Sequence, residues 1–275
     1  MSQQVALVTG ASRGIGKACA IALARSGFDV AVSARTLVDG SATLDDGVTT
    51  VPGGLDTTVQ AIEASGRRGL AVEMDLLDRP SVLDCADRVV GHFGRVDVLI
   101  NNAIYQGPGA MVPIANLGPE HLEPLFEGNV HAQLALISRL LPTFVAQGGA
   151  TVVNLTSMSA RMDPPAPIGK GGWGAGYAMT KAALERVAPI LTVEHRADDI
   201  VAFSVDPGLV TTERQLAKGT ATDYSTHFPA ATPEVIGATV AWLVTDPVAR
   251  EEYAGQVVFA QKEAKKRGLM PPSSA

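Results

Sequence analysis

Tyr177-Ala178-Met179-Thr180-Lys181 lies in a stretch that reads as helix, and residues four apart share one helix face. The Lys181 ammonium can therefore sit near the Tyr177 phenol. A free phenol has a pKa of about 10, and a neighbouring cation favours the phenolate, so the pair suits proton exchange at neutral pH. Taken alone, the spacing is equally that of an ordinary helix-surface pair. Ser157, at the end of an apolar run, offers a hydroxyl that could bond a carbonyl oxygen. Far upstream, Thr9-Gly10-Ala11-Ser12-Arg13-Gly14-Ile15-Gly16 joins the first apolar run to the first helical pattern. Glycines in such a turn let the backbone approach a pyrophosphate, and the helix behind it supplies unpaired N–H groups and a positive dipole end. The spacing is G-x-x-x-G-x-G, and without its setting it is only a tight turn.

That setting is an alternation of strand and helix. Short apolar runs at 4–9, 30–34, 70–74, 96–100, 151–155, 201–205 and 256–260 mostly lack the period-2 pattern of a half-wet strand, so they read as strands buried on both faces. Helical spacing marks 15–25, 57–64, 81–93, 120–141, 178–195 and 233–244. Pro189 is expected to kink its helix. Seven strands alternating with helices, without repeats, predict an α/β chain: a doubly wound Rossmann-type fold, its seven-stranded sheet mostly parallel, with helices on both faces. A β/α barrel would need eight units. Long segments at 36–54, 161–176 and 212–232 break the rhythm.

At the end of the second strand an acidic residue would bond the 2′-hydroxyl of NAD, but the chain has Ala34-Arg35. Arg35 and Arg13 together could clamp a 2′-phosphate, which points to NADP(H) over NAD(H).

Thr9-Gly-x-x-x-Gly-x-Gly16, Asp75, Asn101-Asn102-Ala103, Asn129, Ser157, Tyr177-x-x-x-Lys181 and Asp206-Pro207-Gly208 resemble, in order and setting, the motifs of the short-chain dehydrogenase/reductase family, over nearly the whole chain. The resemblance implies an oxidoreductase in which Tyr177 is the general acid/base, Lys181 lowers its pKa and binds the nicotinamide ribose, Ser157 holds the substrate oxygen, and Asn129 holds a water in the proton relay. It implies further cofactor contacts at Gly10, Ser12, Arg13, Gly14, Ile15, Gly16, Arg35, Asp75, Leu76, Asn102, Ala103, Pro207, Gly208, Val210 and Thr212. Residues 1–262 would then be one dinucleotide-binding catalytic domain, with insertions near 36–54 and 161–176, a substrate-loop region at 209–232 and a C-terminal tail at 263–275. Met158, Trp173 and Leu209, with Met162, Ile168 and Phe228, suggest an apolar carbonyl or alcohol substrate, although the same residues could pack loops onto the core. A homo-oligomer, dimer or tetramer, pairing through 120–141 and 178–195, is also implied. An NAD-linked alcohol dehydrogenase of the same family and a non-catalytic cofactor sensor on the same fold are the alternatives.

The sequence departs from the family in three places. Ile104 follows Asn101-Asn102-Ala103 where glycine is usual, Ser157 stands 20 residues before Tyr177, and Gly255-Gln-Val-Val-Phe-Ala-Gln261 lacks an acidic-Gly-Gly ending. Ser159 competes with Ser157 for the substrate-oxygen role.

Composition excludes other classes. With 46% hydrophobic and 18% charged residues, the chain can build a large core. A net charge of -6 without long basic runs argues against nucleic-acid or anionic-membrane binding. Cys19 and Cys85 read as core thiols in a reducing compartment, and no stretch approaches a signal or membrane segment, so a cytoplasmic protein is expected. The five histidines lack metal-ligand spacing, and no G-x-S-x-G elbow points to a hydrolase.

Overall fold

Val5–Thr9 is buried at every position, as a parallel strand covered by helices on both faces must be. A computed structural model describes residues 3–44, 46–219 and 230–269. In chain order they form β1 (Val5–Thr9), α1 (Gly14–Arg25), β2 (Asp29–Ala34), β3 (Ala42–Thr43), β4 (Thr50–Val51), α2 (Leu55–Glu63), β5 (Gly69–Glu73), α3 (Arg79–Phe93) and β6 (Val98–Asn101). Then come α4 (Pro119–Phe126), α5 (Ala132–Ala146), β7 (Ala150–Leu155), α6 (Ala175–Glu185), α7 (Val187–Glu194) and β8 (Ile200–Asp206). The chain continues as β9 (Leu209–Val210), α8 (Glu213–Lys218), β10 (Ala230–Ala231), α9 (Pro233–Thr245), α10 (Pro247–Glu252), β11 (Val257–Phe259) and α11 (Ala260–Arg267).

Seven strands make one sheet in the order β11-β8-β7-β6-β1-β2-β5, and every pairing in it is parallel. Alternate residues of the strands sort into two cores. Ala6, Val8, Val30, Val32, Ile100, Val153 and Phe203 face one way, onto apolar residues of α1, α2, α9 and α11. Leu7, Ala31, Leu99, Val152 and Ala202 face the other, onto α3, α5 and α7. The seven expected strands and the doubly wound fold are therefore present. Strand order reverses between β1 and β6, and their carboxyl ends, Thr9 and Asn101, open the crevice where ligands of such sheets sit.

Two helices read as continuous are broken. The expected helix at 120–141 is α4 and α5 joined by a π turn, Glu127–His131, which admits one extra residue and buries Gly128, Asn129 and Val130. The one at 178–195 divides at Arg186 into α6 and α7, with Pro189 in the first turn of α7. Pro189 has no N–H for the Glu185 carbonyl, and the Ser204 hydroxyl donates to that carbonyl instead at 3.2 Å. The segments read as loops also carry structure. Antiparallel β3 and β4 form a hairpin within 36–54, while β9, α8 and β10 occupy part of 209–232. Phe228 lies outside the described residues. The tail boundary at 263 falls inside α11, whose Arg267 stacks on Trp242 of α9 at 3.9 Å. No helix among the described residues is long and apolar enough to cross a membrane.

Candidate active site

The glycine-rich turn is held by the end of the neighbouring strand. The Thr9 hydroxyl donates to the Ile100 carbonyl at 3.1 Å and accepts from the Asn102 and Ala103 N–H groups, both at 3.0 Å. The Asn102 amide donates to the carbonyls of Thr9 and Gly10 at 2.9 and 3.1 Å. Gly10 has φ +66° and lies so close to this clamp that a Cβ there would stand 2.7 Å from the Ala103 Cα. At Gly16 a Cβ would meet the Gly10 carbonyl oxygen at 2.3 Å. Only glycine fits at either position. Ser12 is buried, Ile15 half-buried, and α1 begins at Gly14 with no side-chain cap and no acidic residue in its first turn. Its Gly14 N–H instead donates to the Glu213 carboxylate at 2.9 Å. The turn thus presents a backbone donor that already takes an anionic oxygen, which is the donor chemistry a phosphate needs.

Arg13 is steered by the insertion at 36–54. Its Nε donates to the Pro52 carbonyl and its Nη2 to the Gly53 carbonyl, each at 2.8 Å. Asp39 holds that stretch by accepting from the Gly53 N–H at 2.6 Å. Burial lowers the pKa of Arg13, with Glu213 and Asp39 opposing the shift and the charges of Arg214 and Arg35 adding to it. Arg35 itself is exposed at the end of β2. Asp75 accepts from the Leu77 N–H at 3.0 Å, and Leu76 is buried beside it.

At the other side of the crevice Lys181 is 5% exposed and its ammonium donates to the Leu155 carbonyl, at the end of β7, at 2.6 Å. Burial lowers its pKa to about 8, and the Asp206 carboxylate opposes that shift. Asp206 is itself buried, which raises its pKa, and it accepts from the Gly208 N–H at 2.9 Å and from Arg161, which also pairs with Glu185. Tyr177 sits half-buried one turn before Lys181 on α6. Ser157 follows β7 with an extended backbone and accepts from the Ser159 N–H at 3.3 Å. Ser157 is half-buried, whereas Ser159 is buried and its hydroxyl is enclosed.

Asn129 lies in the π turn. Its Oδ1 accepts from the Tyr105 N–H at 2.7 Å, and its Nδ2 donates to the Tyr105 carbonyl at 3.0 Å and the Thr180 hydroxyl at 3.4 Å. Thr180 in turn donates to the Tyr177 carbonyl at 2.9 Å. The side-chain amide therefore ties the segment after β6 to α6, and the turn after Ala103-Ile104 is fixed at Tyr105. Past β8, Pro207 and Leu209 offer carbonyls that both accept from the Gln261 amide, at 2.9 and 2.8 Å. Gly208, at φ +67°, allows that approach. Val210 is buried in β9, and Thr212 caps α8 by accepting from the Gln215 N–H. Met158, Trp173 and Leu209 are each half-buried.

Reasoning from sequence missed Glu213, Gln261 and the Arg161–Asp206 pair. Gln261 had a signal, since it stands where the family's acidic-Gly-Gly ending is absent. Glu213 had none, because Gly14 lies 199 residues away.

A sequence model of the short chain dehydrogenase family matches residues 4–222. The chain belongs to that family, whose members are oxidoreductases that bind a nicotinamide cofactor. It is 30% identical over 243 residues to the short chain dehydrogenase mpl6 of Monascus purpureus, covering 87% of this chain and 75% of the relative. Among solved structures it is similar to a 3-oxoacyl (acyl-carrier-protein) reductase from Agrobacterium tumefaciens with NADP bound, at a TM-score of 0.77 and 25% identity, covering 94% of this chain and 93% of that one. It is also similar to L-sorbose reductase from Gluconobacter frateurii complexed with NADPH and L-sorbose, at a TM-score of 0.76 and 27% identity, covering 94% and 95%.

Proposed function

We propose that this protein is an NADP(H)-dependent oxidoreductase that interconverts a carbonyl and an alcohol. The observation that carries the reading is that the buried Lys181, one turn after Tyr177 on α6, bonds the Leu155 carbonyl at the end of β7, two residues before Ser157, while the glycine-rich turn at the end of β1 takes an anionic oxygen. Arg13, Arg35 and the absence of a carboxylate at the end of β2 favour NADP(H) over NAD(H). The NADP and NADPH in the two similar reductase structures support the same choice.

The cofactor, when bound, supplies or accepts a hydride at the nicotinamide ring. Gly10, Ser12, Gly14, Ile15 and Gly16 would face its pyrophosphate, Arg13 and Arg35 its 2′-phosphate, and Asp75, Leu76, Asn102 and Ala103 its adenosine. Pro207, Gly208, Val210 and Thr212 would frame the nicotinamide. In the reductive direction Ser157 holds the substrate oxygen by a hydrogen bond while Tyr177 gives it a proton. The phenolate so formed is stabilised by the nearby positive charge of Lys181 and regains a proton from solvent. Asn129, by tying Tyr105 to α6, keeps Tyr177 and Lys181 in register with the strand ends and stands beside the path of that proton. Met158, Trp173 and Leu209 would present an apolar wall to the substrate.

The free, buried Cys19 and Cys85 suit a reducing, cytoplasmic setting. Leu134, Met179, Ile190 and Val193 are exposed apolar residues on α5, α6 and α7, in keeping with pairing of subunits through these helices.

A cofactor-coupled screen of ketones, aldehydes and alcohols, run in parallel with NADPH and NADH, tests this function. Turnover of at least one carbonyl with NADPH, and weaker turnover with NADH, is the expected result. Tight NADPH binding with no turnover across the panel would favour the sensor alternative, and a preference for NADH would overturn the cofactor assignment.

A further inference from the structure

We infer that Glu213 is a displaceable latch on the cofactor site: its carboxylate holds the backbone donor that a dinucleotide's pyrophosphate requires, so the cofactor binds by exchanging one anion for another. This rests on the family's nicotinamide-cofactor site lying at the glycine-rich turn.

Several independent features meet here. α1 is a 12-residue helix whose N-terminus has neither a side-chain cap of its own nor an acidic residue in its first turn, so its positive end is left for an anion from elsewhere. That anion is the Glu213 carboxylate, 2.9 Å from the Gly14 nitrogen. Gly14 has φ +57°, and the space where a Cβ would stand is bounded by the Thr212 methyl at 3.4 Å and Glu213 Oε2 at 3.7 Å. The open side of the glycine turn is thus covered by the start of α8.

α8 is braced from behind as well. It packs against β4 of the hairpin in the 36–54 insertion, and the next residues of that hairpin, Pro52 and Gly53, hold the Arg13 guanidinium through their carbonyls. The positive charge of Arg13 acts on Glu213, and Arg214 of α8 adds its charge to the same corner. Two segments that exceed a minimal alternation, one at each side of the turn, therefore meet over the pyrophosphate seat.

A charge-assisted bond to a helix N-terminus cannot be shared with a phosphate oxygen at the same N–H. The closed arrangement consequently lowers apparent affinity by the fraction of molecules in which the seat is open. Glu213 acts here as a group that competes with the ligand, and it has no part in the chemical step.

The test compares wild type with Glu213→Gln and Glu213→Ala by titration calorimetry, using NADPH, ADP-ribose and adenosine as probes. Both substitutions should tighten NADPH and ADP-ribose roughly tenfold, the gain expected if about one tenth of wild-type molecules are open. Adenosine, which has no pyrophosphate, should bind all three proteins alike. If Glu213 only caps α1, Glu213→Gln will bind NADPH like the wild type and Glu213→Ala no tighter, and the inference falls. A gain of equal size for adenosine would also overturn it, since the effect would not lie at the phosphate seat. If neither NADPH nor ADP-ribose binds any of the three proteins, the cofactor site itself is misassigned, and that failure is distinct from equal binding by all three.

Discussion

Lys181 shows how one buried charge joins stability to function. Burial lowers its pKa from 10.5 to about 8, so between these values the unfolded chain holds more protons than the folded protein. Stability contributed by this group therefore rises with pH through that window. Below about pH 8 the buried ammonium costs roughly 3 kcal/mol, and the cost is lifted towards pH 10.5. In Lys181→Met the cost is absent at every pH. Denaturant unfolding of both proteins at about pH 7 and about pH 10 should show wild type gaining on the variant by a few kcal/mol. A difference between them that stays constant with pH would contradict the buried, depressed ammonium. The spacing of Tyr177 and Lys181 was legible because it is local to one helix. The partners of Lys181 were not, since Leu155 and Asp206 come from β7 and β8, and only the folded sheet brings their ends to α6.

Elements were legible where helical or strand spacing runs along the chain, and their internal breaks were not. The sequence at 120–141 reads as one helix, yet the π turn inside it is where Asn129 bonds Tyr105 and Thr180. Pro189 did announce a disturbance, but the partner that takes up the freed Glu185 carbonyl is the Ser204 hydroxyl, a residue of β8. The insertion at 36–54 is polar and glycine-rich, so its length was plain and its β3–β4 hairpin was not. Its consequence lies in Arg13, which the carbonyls of Pro52 and Gly53, just past β4, hold in place. Removing a charge-assisted contact to a phosphate costs about 1.5–3 kcal/mol. Arg13→Ala should accordingly weaken NADPH binding by about 10- to 100-fold and leave NADH binding within about threefold, as read by fluorescence titration. Equal weakening of both cofactors would mean that Arg13 holds the turn and does not read the 2′-phosphate.

At the scale of the molecule, a single parallel sheet accounts for the positions of all the proposed chemistry. Alternation along the chain made the doubly wound class legible, and the reversal of order between β1 and β6 then fixes where a ligand enters. Two of the departures from that alternation bear on different sides of the crevice. One steers Arg13, and the other carries Arg161, whose guanidinium bridges Asp206 and Glu185. Lengths and compositions gave these departures away, but what they touch is set by contacts across the sheet. The central claim is that Tyr177 exchanges the proton while the surrounding fold binds and orients. It is tested most directly by Tyr177→Phe, assayed for NADPH binding and for NADPH-coupled turnover of a carbonyl that the wild type reduces. NADPH affinity should stay within about threefold of wild type while turnover falls by about a thousandfold. Turnover by Tyr177→Phe close to the wild-type rate would contradict the account.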